Sequence, residues 1–216
     1  MLTLKWLNEV NGADKLVMEY HAKIMEEFQG TLYGAILGSA YGGEVEYLAT
    51  LWKDRGFVYG CDVFDDLHPK HLSADVNSFE ATCMDHWYSL PEYGREKMKY
   101  DYQREQLDAL GLTNAILIKG EVHKDSLKDV PKLHYAFLDM DIPESMHQGY
   151  LAVRDKIIEG GYLFLHDTQN ITGVGEWMLE EVMGKDKDMW EEIGKWDGSL
   201  LVGFKRKKDI MIEYRV

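Results

Sequence analysis

Cysteine is scarce in this chain, with only Cys61 and Cys83 among 216 residues. The two form no metal-binding or redox spacing, so a disulfide framework is excluded and free cytosolic thiols are expected. Basic charge is scarce as well. Lys and Arg number 24 against 38 Asp and Glu, a formal net charge of −14. That average field repels a phosphate backbone, so no nucleic-acid partner is expected. The one dense basic run, Lys205 to Lys208, reads as the solvated end of a strand. Long apolar runs are missing too: the longest are short and broken by charge, and the N-terminus turns polar within ten residues. Neither a transmembrane span nor a signal peptide is expected, which points to a cytoplasmic protein with no membrane partner. The sequence also has no internal repeat and no low-complexity segment.

What is present is enough for a core. Hydrophobic residues make up 45%, which suits one α/β domain with a small helical addition. Residues 1–30 read as an N-terminal helical segment, with Leu16, Met18, Ile24, Met25 and Phe28 at mixed three- and four-residue spacing and Gly30 ending it. Leu32 to Leu37 is a short apolar run stopped by Gly38, Gly42 and Gly43. A helix then places Val45, Leu48, Ala49 and Trp52 on one face, and Gly56 closes it. Further strands are expected at Phe57 to Cys61, Ala115 to Ile118, Leu133 to Leu138 and Tyr162 to Leu165. Helices are expected near 97–110, 145–158 and 174–183. Gly160-Gly161 reads as a turn into the fifth strand. Two last strands, near 190–196 and 199–205, meet at Asp197-Gly198, a hairpin signal. Alternating strands and helices imply a mostly parallel sheet with helices on both faces and an antiparallel C-terminal hairpin. Residues 63–100, rich in His, Asp and aromatics, fit neither period and read as an insertion.

In an open parallel sheet the ligand lies beyond the carboxyl ends of the strands. The first strand ends in Gly38-Ser39-Ala40-Tyr41-Gly42-Gly43, where glycines admit close backbone approach and the next helix offers free N–H groups. A plain strand-to-helix turn explains the same residues. Asp62 ends the second strand, where a carboxylate can accept both hydroxyls of a ribose; a helix cap is the bland alternative. Together the two features favour a nucleoside-containing ligand. The fourth and fifth strands end in Asp139, Asp141, His166 and Asp167. Hard ligands at one sheet edge suit Mg²⁺, Mn²⁺ or Ca²⁺, and the imidazole leans toward a transition metal. The alternative is that Asp139 and Asp167 only cap helices. The other histidines, His21, His134 and His147 among them, have no spacing partners and read as ordinary surface or core residues.

Taken in order, five segments resemble the macrocin O-methyltransferase family, metal-dependent class I enzymes that methylate sugar hydroxyls in natural products. They are Gly38-x3-Gly42-Gly43, Val58 to Phe64, Ile118-Lys119-Gly120, Leu138-Asp139-Met140-Asp141-x3-Ser145 and Gly160-Gly161-Tyr162-x3-His166-Asp167. The resemblance implies a Rossmann-like class I methyltransferase domain over 31–216, a lid-like insertion at 63–100 and S-adenosylmethionine as cofactor. By motif, Gly38, Ser39, Gly42 and Gly43 would hold the methionine part, Asp62 the ribose, and Gly120 and Glu121 the adenine. Asp139, His166 and Asp167 would ligate a divalent metal, Mg²⁺ first, with Mn²⁺ or another transition metal as alternatives. Asp139 would also border the cofactor and join Asp141, the candidate general base, in catalysis. Two positions depart from the family pattern. Its acidic residue two places before the first loop glycine is Ile36 here, and the first of its two strand-end aspartates is His166.

The implied chemistry is transfer of an activated methyl to a substrate hydroxyl that is aligned, chelated and deprotonated. The expected partner is a small hydroxylated molecule. The N-terminal helices could instead pair subunits into a homo-oligomer. Three other readings compete: a nicotinamide-dependent oxidoreductase, disfavoured by the glycine spacing; a non-catalytic cofactor-binding protein of the same fold; and a metal-dependent hydrolase using His166-Asp167.

Overall fold

The computed structural model describes residues 12–64, 96–169, 171–196 and 200–208. The expected insertion at 63–100 falls mostly outside them, as do the first eleven residues and the Asp197-Gly198 turn. Helix α1 (Gly12–Glu27) precedes strand β1 (Leu32–Leu37), α2 (Gly43–Leu51) and β2 (Gly56–Asp62). Then come α3 (Tyr100–Ala109), β3 (Ala115–Lys119), β4 (Leu133–Leu138) and α4 (Pro143–Val153). Strand β5 (Ile157–Leu165), α5 (Thr172–Glu180), a π-helical turn over Glu181–Lys185, β6 (Trp190–Trp196) and β7 (Leu201–Arg206) complete the described chain.

The seven strands form one sheet in the order β3-β2-β1-β4-β5-β7-β6. The first five run parallel, and β7 is antiparallel to both β5 and β6. The expected parallel sheet with a terminal antiparallel pair is therefore present. The chain starts in the middle at β1, winds outward to β3, and returns across β1 to β4. That reversal opens a crevice above the carboxyl ends of β1 and β4, where such sheets bind ligands.

A separate apolar core covers each face. On one side α1 and α2 pack Val17, Ile24, Val45, Leu48, Ala49 and Trp52 against Ile36, Tyr135, Tyr162 and Phe164. On the other, Met146, Tyr150 and Val153 of α4 and Val174 and Met178 of α5 cover Leu37, Ala136, Leu138, Leu163 and Leu165. The face Val45, Leu48, Ala49 and Trp52, read from spacing alone, is wholly buried. Asn114 ties α2 to the sheet, its amide donating to Ala49 O at 2.9 Å and Gly56 O at 3.0 Å.

Four expectations need correction. The helix placed at 145–158 ends at Val153, and Ile157 and Ile158 belong to β5. Gly160-Gly161 is not the turn into that strand. Residues 158–161 stand opposite His134 alone in a bulge, with Gly160 at φ +77° supplying the backbone conformation. Gly56, expected to close α2, begins β2. The basic run is not simply solvated. Lys205 donates to the Tyr162 hydroxyl at 2.9 Å and Glu27 at 3.1 Å, and Arg206 to Arg154 O at 2.6 Å. It ties α1 and α4 to β7. Among the described residues, no helix is long and apolar enough to cross a membrane.

Candidate active site at the carboxyl ends of the strands

The glycine loop follows β1. Gly38 has φ +83°, and a Cβ there would collide with the Asp139 carbonyl oxygen at the end of β4. Only glycine lets the two strand ends lie this close. Gly42, at φ +75°, precedes Gly43, the first residue of α2, and gives the helix no side-chain cap. The first N–H groups of α2 are thus left for another acceptor. Ser39 is buried, and its hydroxyl has no hydrogen-bond partner.

Two groups fix this loop. Asp62, ending β2, accepts the Ala40 N–H at 2.8 Å on Oδ2 and the Phe64 N–H at 3.2 Å on Oδ1. Burial raises its carboxyl pKa and these backbone donors work against that rise. The backbone N–H groups of Val63 and Ser39 also act on this carboxylate, so a ribose at Asp62 would share it with the loop backbone. Gln103 of α3 is the second brace, its amide donating to Ala40 O at 2.5 Å while its side chain lies against Gly42. Beyond Asp62, Gly120 donates to Asp62 O at 2.9 Å, and a Cβ on Gly120 would meet nothing within 4 Å. Glu121 follows, exposed. The sequence-assigned residues Gly38, Ser39, Gly42, Gly43, Asp62 and Gly120 therefore line one edge of the crevice.

The acidic cluster stands at the ends of β4 and β5. One ligand atom each from Asp139, His166 and Asp167 lies within 4.8 Å of the others. His166 Nδ1 is 3.1 Å from Asp139 Oδ1 and 3.1 Å from Asp167 Oδ2. Two strands leave the sheet here through left-handed residues, Asp141 at φ +57° and Asp167 at φ +57°. Aspartate tolerates that conformation better than most residues. Burial alone would lower the His166 pKa, but the charge of Asp139 and hydrogen bonds to both aspartates push it up to about 11. Burial raises the Asp139 carboxyl; His166 opposes this, and Asp167 and Glu44 add to it. Asp141 is raised well above the usual carboxylate range, first by burial, then by the charges of Asp139 and Asp167 and a hydrogen bond with Asp167. The crevice thus crowds three aspartates around one imidazole, an arrangement a cation would relieve.

Asp139, His166 and Asp167 offer donor types that a divalent ion takes; as they stand, the 3.1 Å separations are a hydrogen bond and ion pairs of His166 with the two carboxylates. The glycine loop fits the amino-acid end of a nucleoside cofactor through the uncapped α2 terminus and the unpartnered Ser39 hydroxyl. Sequence reading missed Gln103 and Glu44. Gln103 shares the inward stripe of α3 with Leu107, a polar side chain at a core spacing. Glu44 looked like any acidic residue in the first turn of a helix.

No protein-family model matches this chain, and no curated protein does. Solved structures do. The O-methyltransferase NovP superposes with a TM-score of 0.69 at 17% identity, over 90% of this chain and 80% of that one. The calicheamicin methyltransferase CalS11 gives 0.63 at 17% identity, over 89% and 78%. SMU.1697c, a putative methyltransferase from Streptococcus mutans in complex with SAH, gives 0.54 at 13% identity, over 88% and 97%. The likeness establishes the fold: the Rossmann-like, mostly parallel sheet that these methyltransferases share.

Proposed function

We propose that this chain is an S-adenosylmethionine-dependent O-methyltransferase that acts with a divalent metal on a small hydroxylated substrate such as a sugar or other natural product. The observation that carries the reading is the Asp139, His166 and Asp167 cluster standing beside the glycine loop, across the β1–β4 seam. NovP, an O-methyltransferase, and CalS11, described also as a TDP-rhamnose 3′-O-methyltransferase, support the reaction class through shared fold.

Bound S-adenosylmethionine supplies an activated methyl group, and a divalent ion lowers the pKa of a coordinated hydroxyl. The chain's own residues do the rest. The α2 N-terminus and Ser39 hold the amino-acid end of the cofactor. Asp62 holds the ribose and at the same time keeps the loop closed through Ala40. Asp139, His166 and Asp167 would hold the metal. Asp141, at the end of β4 beside this cluster, would accept the hydroxyl proton. A vicinal diol would suit a site that held a divalent ion. Alignment of the oxygen with the methyl group is the main demand on the protein.

A second reading is favoured by one distance pair. His166, equidistant from two carboxylates, can serve as the cation itself, giving metal-independent transfer. One assay separates the two. The protein is incubated with S-adenosylmethionine and a panel of sugars, catechols and polyketide alcohols, with Mg²⁺ or with EDTA, and products are read by mass spectrometry. Mg²⁺-dependent gain of a methyl group supports the proposal; equal turnover in EDTA supports the second reading. No product from any acceptor counts against both.

A further inference from the structure

One carboxylate beside the glycine loop is held in place by residues that no step above uses. Glu44, the second residue of α2, accepts a hydrogen bond from the Tyr135 hydroxyl at 2.5 Å on Oε1. The same oxygen lies 3.5 Å from His21 Nε2. His21 comes from α1, is fully buried, and is packed edge-on against Tyr135 at 4.6 Å between ring centroids, with Tyr47 and Trp52 also near. Neither ring nitrogen of His21 makes a well-aligned hydrogen bond. Three elements, α1, α2 and β4, thus converge on one glutamate. A first-turn glutamate needs no such support to benefit from the helix terminus, and immobilising a long side chain costs conformational entropy. The Glu44 side chain remains 22% exposed, and it lies close enough to Asp139 for its charge to act there. It stands in the first turn of α2, directly after Gly42-Gly43 of the loop.

S-adenosylmethionine carries an α-carboxylate and an α-ammonium at its amino-acid end. The N–H groups at the start of α2 suit the carboxylate. The ammonium needs an anion near the same loop. The last two side chains of β1 are apolar: Ile36 is 1% and Leu37 0% exposed, and both belong to the core. Asp62 is engaged with Ala40 and Phe64 at the far side of the loop, and Asp139 belongs to the His166 cluster. We infer that Glu44 receives the α-ammonium of the cofactor, and that Tyr135 and His21 are positioning residues that aim it. This inference rests on the reading that the crevice binds S-adenosylmethionine.

The test is titration calorimetry with two ligands: S-adenosylhomocysteine, which has the ammonium, and 5′-methylthioadenosine, which lacks the whole amino-acid end. Glu44→Gln keeps the shape and removes the charge. The expected result is at least a tenfold loss for S-adenosylhomocysteine, about 1.4 kcal/mol, with methylthioadenosine affinity within twofold of wild type. Unchanged S-adenosylhomocysteine affinity in Glu44→Gln overturns the assignment. Should Glu44→Gln lose both ligands, Tyr135→Phe decides, because it keeps the charge and removes only the tie. Selective weakening of S-adenosylhomocysteine then supports the assignment; unselective weakening, or none, overturns it. A wild-type protein that binds neither ligand removes the cofactor reading itself and this assignment with it. A wild-type protein that binds both alongside an unaffected Glu44→Gln removes only the assignment.

Discussion

Replacing Gly38 by alanine perturbs the closest approach in the site. Two effects add. The residue sits at φ +83°, where a side chain costs about 1–3 kcal/mol. The new Cβ would also enter the space of the Asp139 carbonyl oxygen. Backbone meets backbone there, and the seam is already fixed by the Asp139 N–H donating to Leu37 O at 2.9 Å. Neither side can turn away as a flexible side chain would, so overpacking adds about another 1–3 kcal/mol. The expected total, about 2–6 kcal/mol, is a large part of a domain's stability. Gly120→Ala is the internal comparison. Gly120 also has positive φ, +139°, but its Cβ would meet nothing within 4 Å, so only the conformational part, about 1–3 kcal/mol, applies. Urea unfolding followed by tryptophan fluorescence measures both variants. Gly38→Ala should have the clearly lower midpoint and the weaker S-adenosylhomocysteine binding. Equal destabilisation of the two variants would refute the argument that the β1–β4 seam demands glycine.

Three more outcomes are expected. His134 is buried and accepts the Tyr33 N–H at 3.1 Å; burial first, and then the charge of Lys132, lowers its pKa to about 4 from 6.5. The unfolded chain therefore takes up this proton first, so the full stability is present above pH 6.5 and falls as pH drops through about 4, by on the order of 3 kcal/mol. Urea midpoints at pH 7 and pH 4.5 should converge in His134→Gln relative to wild type; an identical drop in the variant would contradict this. Asp167→Asn keeps a residue tolerant of φ +57° while removing the charge. It should abolish Mn²⁺ binding followed by electron paramagnetic resonance without a large change in melting temperature, and undiminished binding would remove Asp167 from the metal site. Asp62→Ala should weaken S-adenosylhomocysteine binding at least tenfold, about 1.4 kcal/mol, and unchanged affinity would place the ribose elsewhere.

Strands β1 to β4 were legible in the sequence because each is a short apolar run closed by glycine or a carboxylate, and all seven strands lie near their expected positions. Helix α2 was legible for the same reason, its buried face being written at helical spacing. The start of β5 was not. Ile157-Ile158 fits a helix end as well as a strand, and Gly160-Gly161 signals a turn as readily as a bulge. Pairing with β4 across the sheet decides between them, and that contact leaves no local trace. In the site, the rule that ligands lie beyond strand ends picked out Gly38, Asp62, Asp139, His166 and Asp167, because every one directly follows or ends a strand. The residues that hold these in place were silent. Gln103, Glu44 and His21 are polar side chains on helices, Gln103 at a core spacing with Leu107, and only the packing of α1, α2 and α3 over the sheet gives them their partners. The pairing of His166 with two aspartates likewise depends on how β4 and β5 align at their ends.

The most direct test of the account is calorimetric titration of the protein with S-adenosylhomocysteine, with and without Mg²⁺. The account predicts micromolar binding, about −8 kcal/mol, at the crevice above β1 and β4. Absence of binding under both conditions would contradict it.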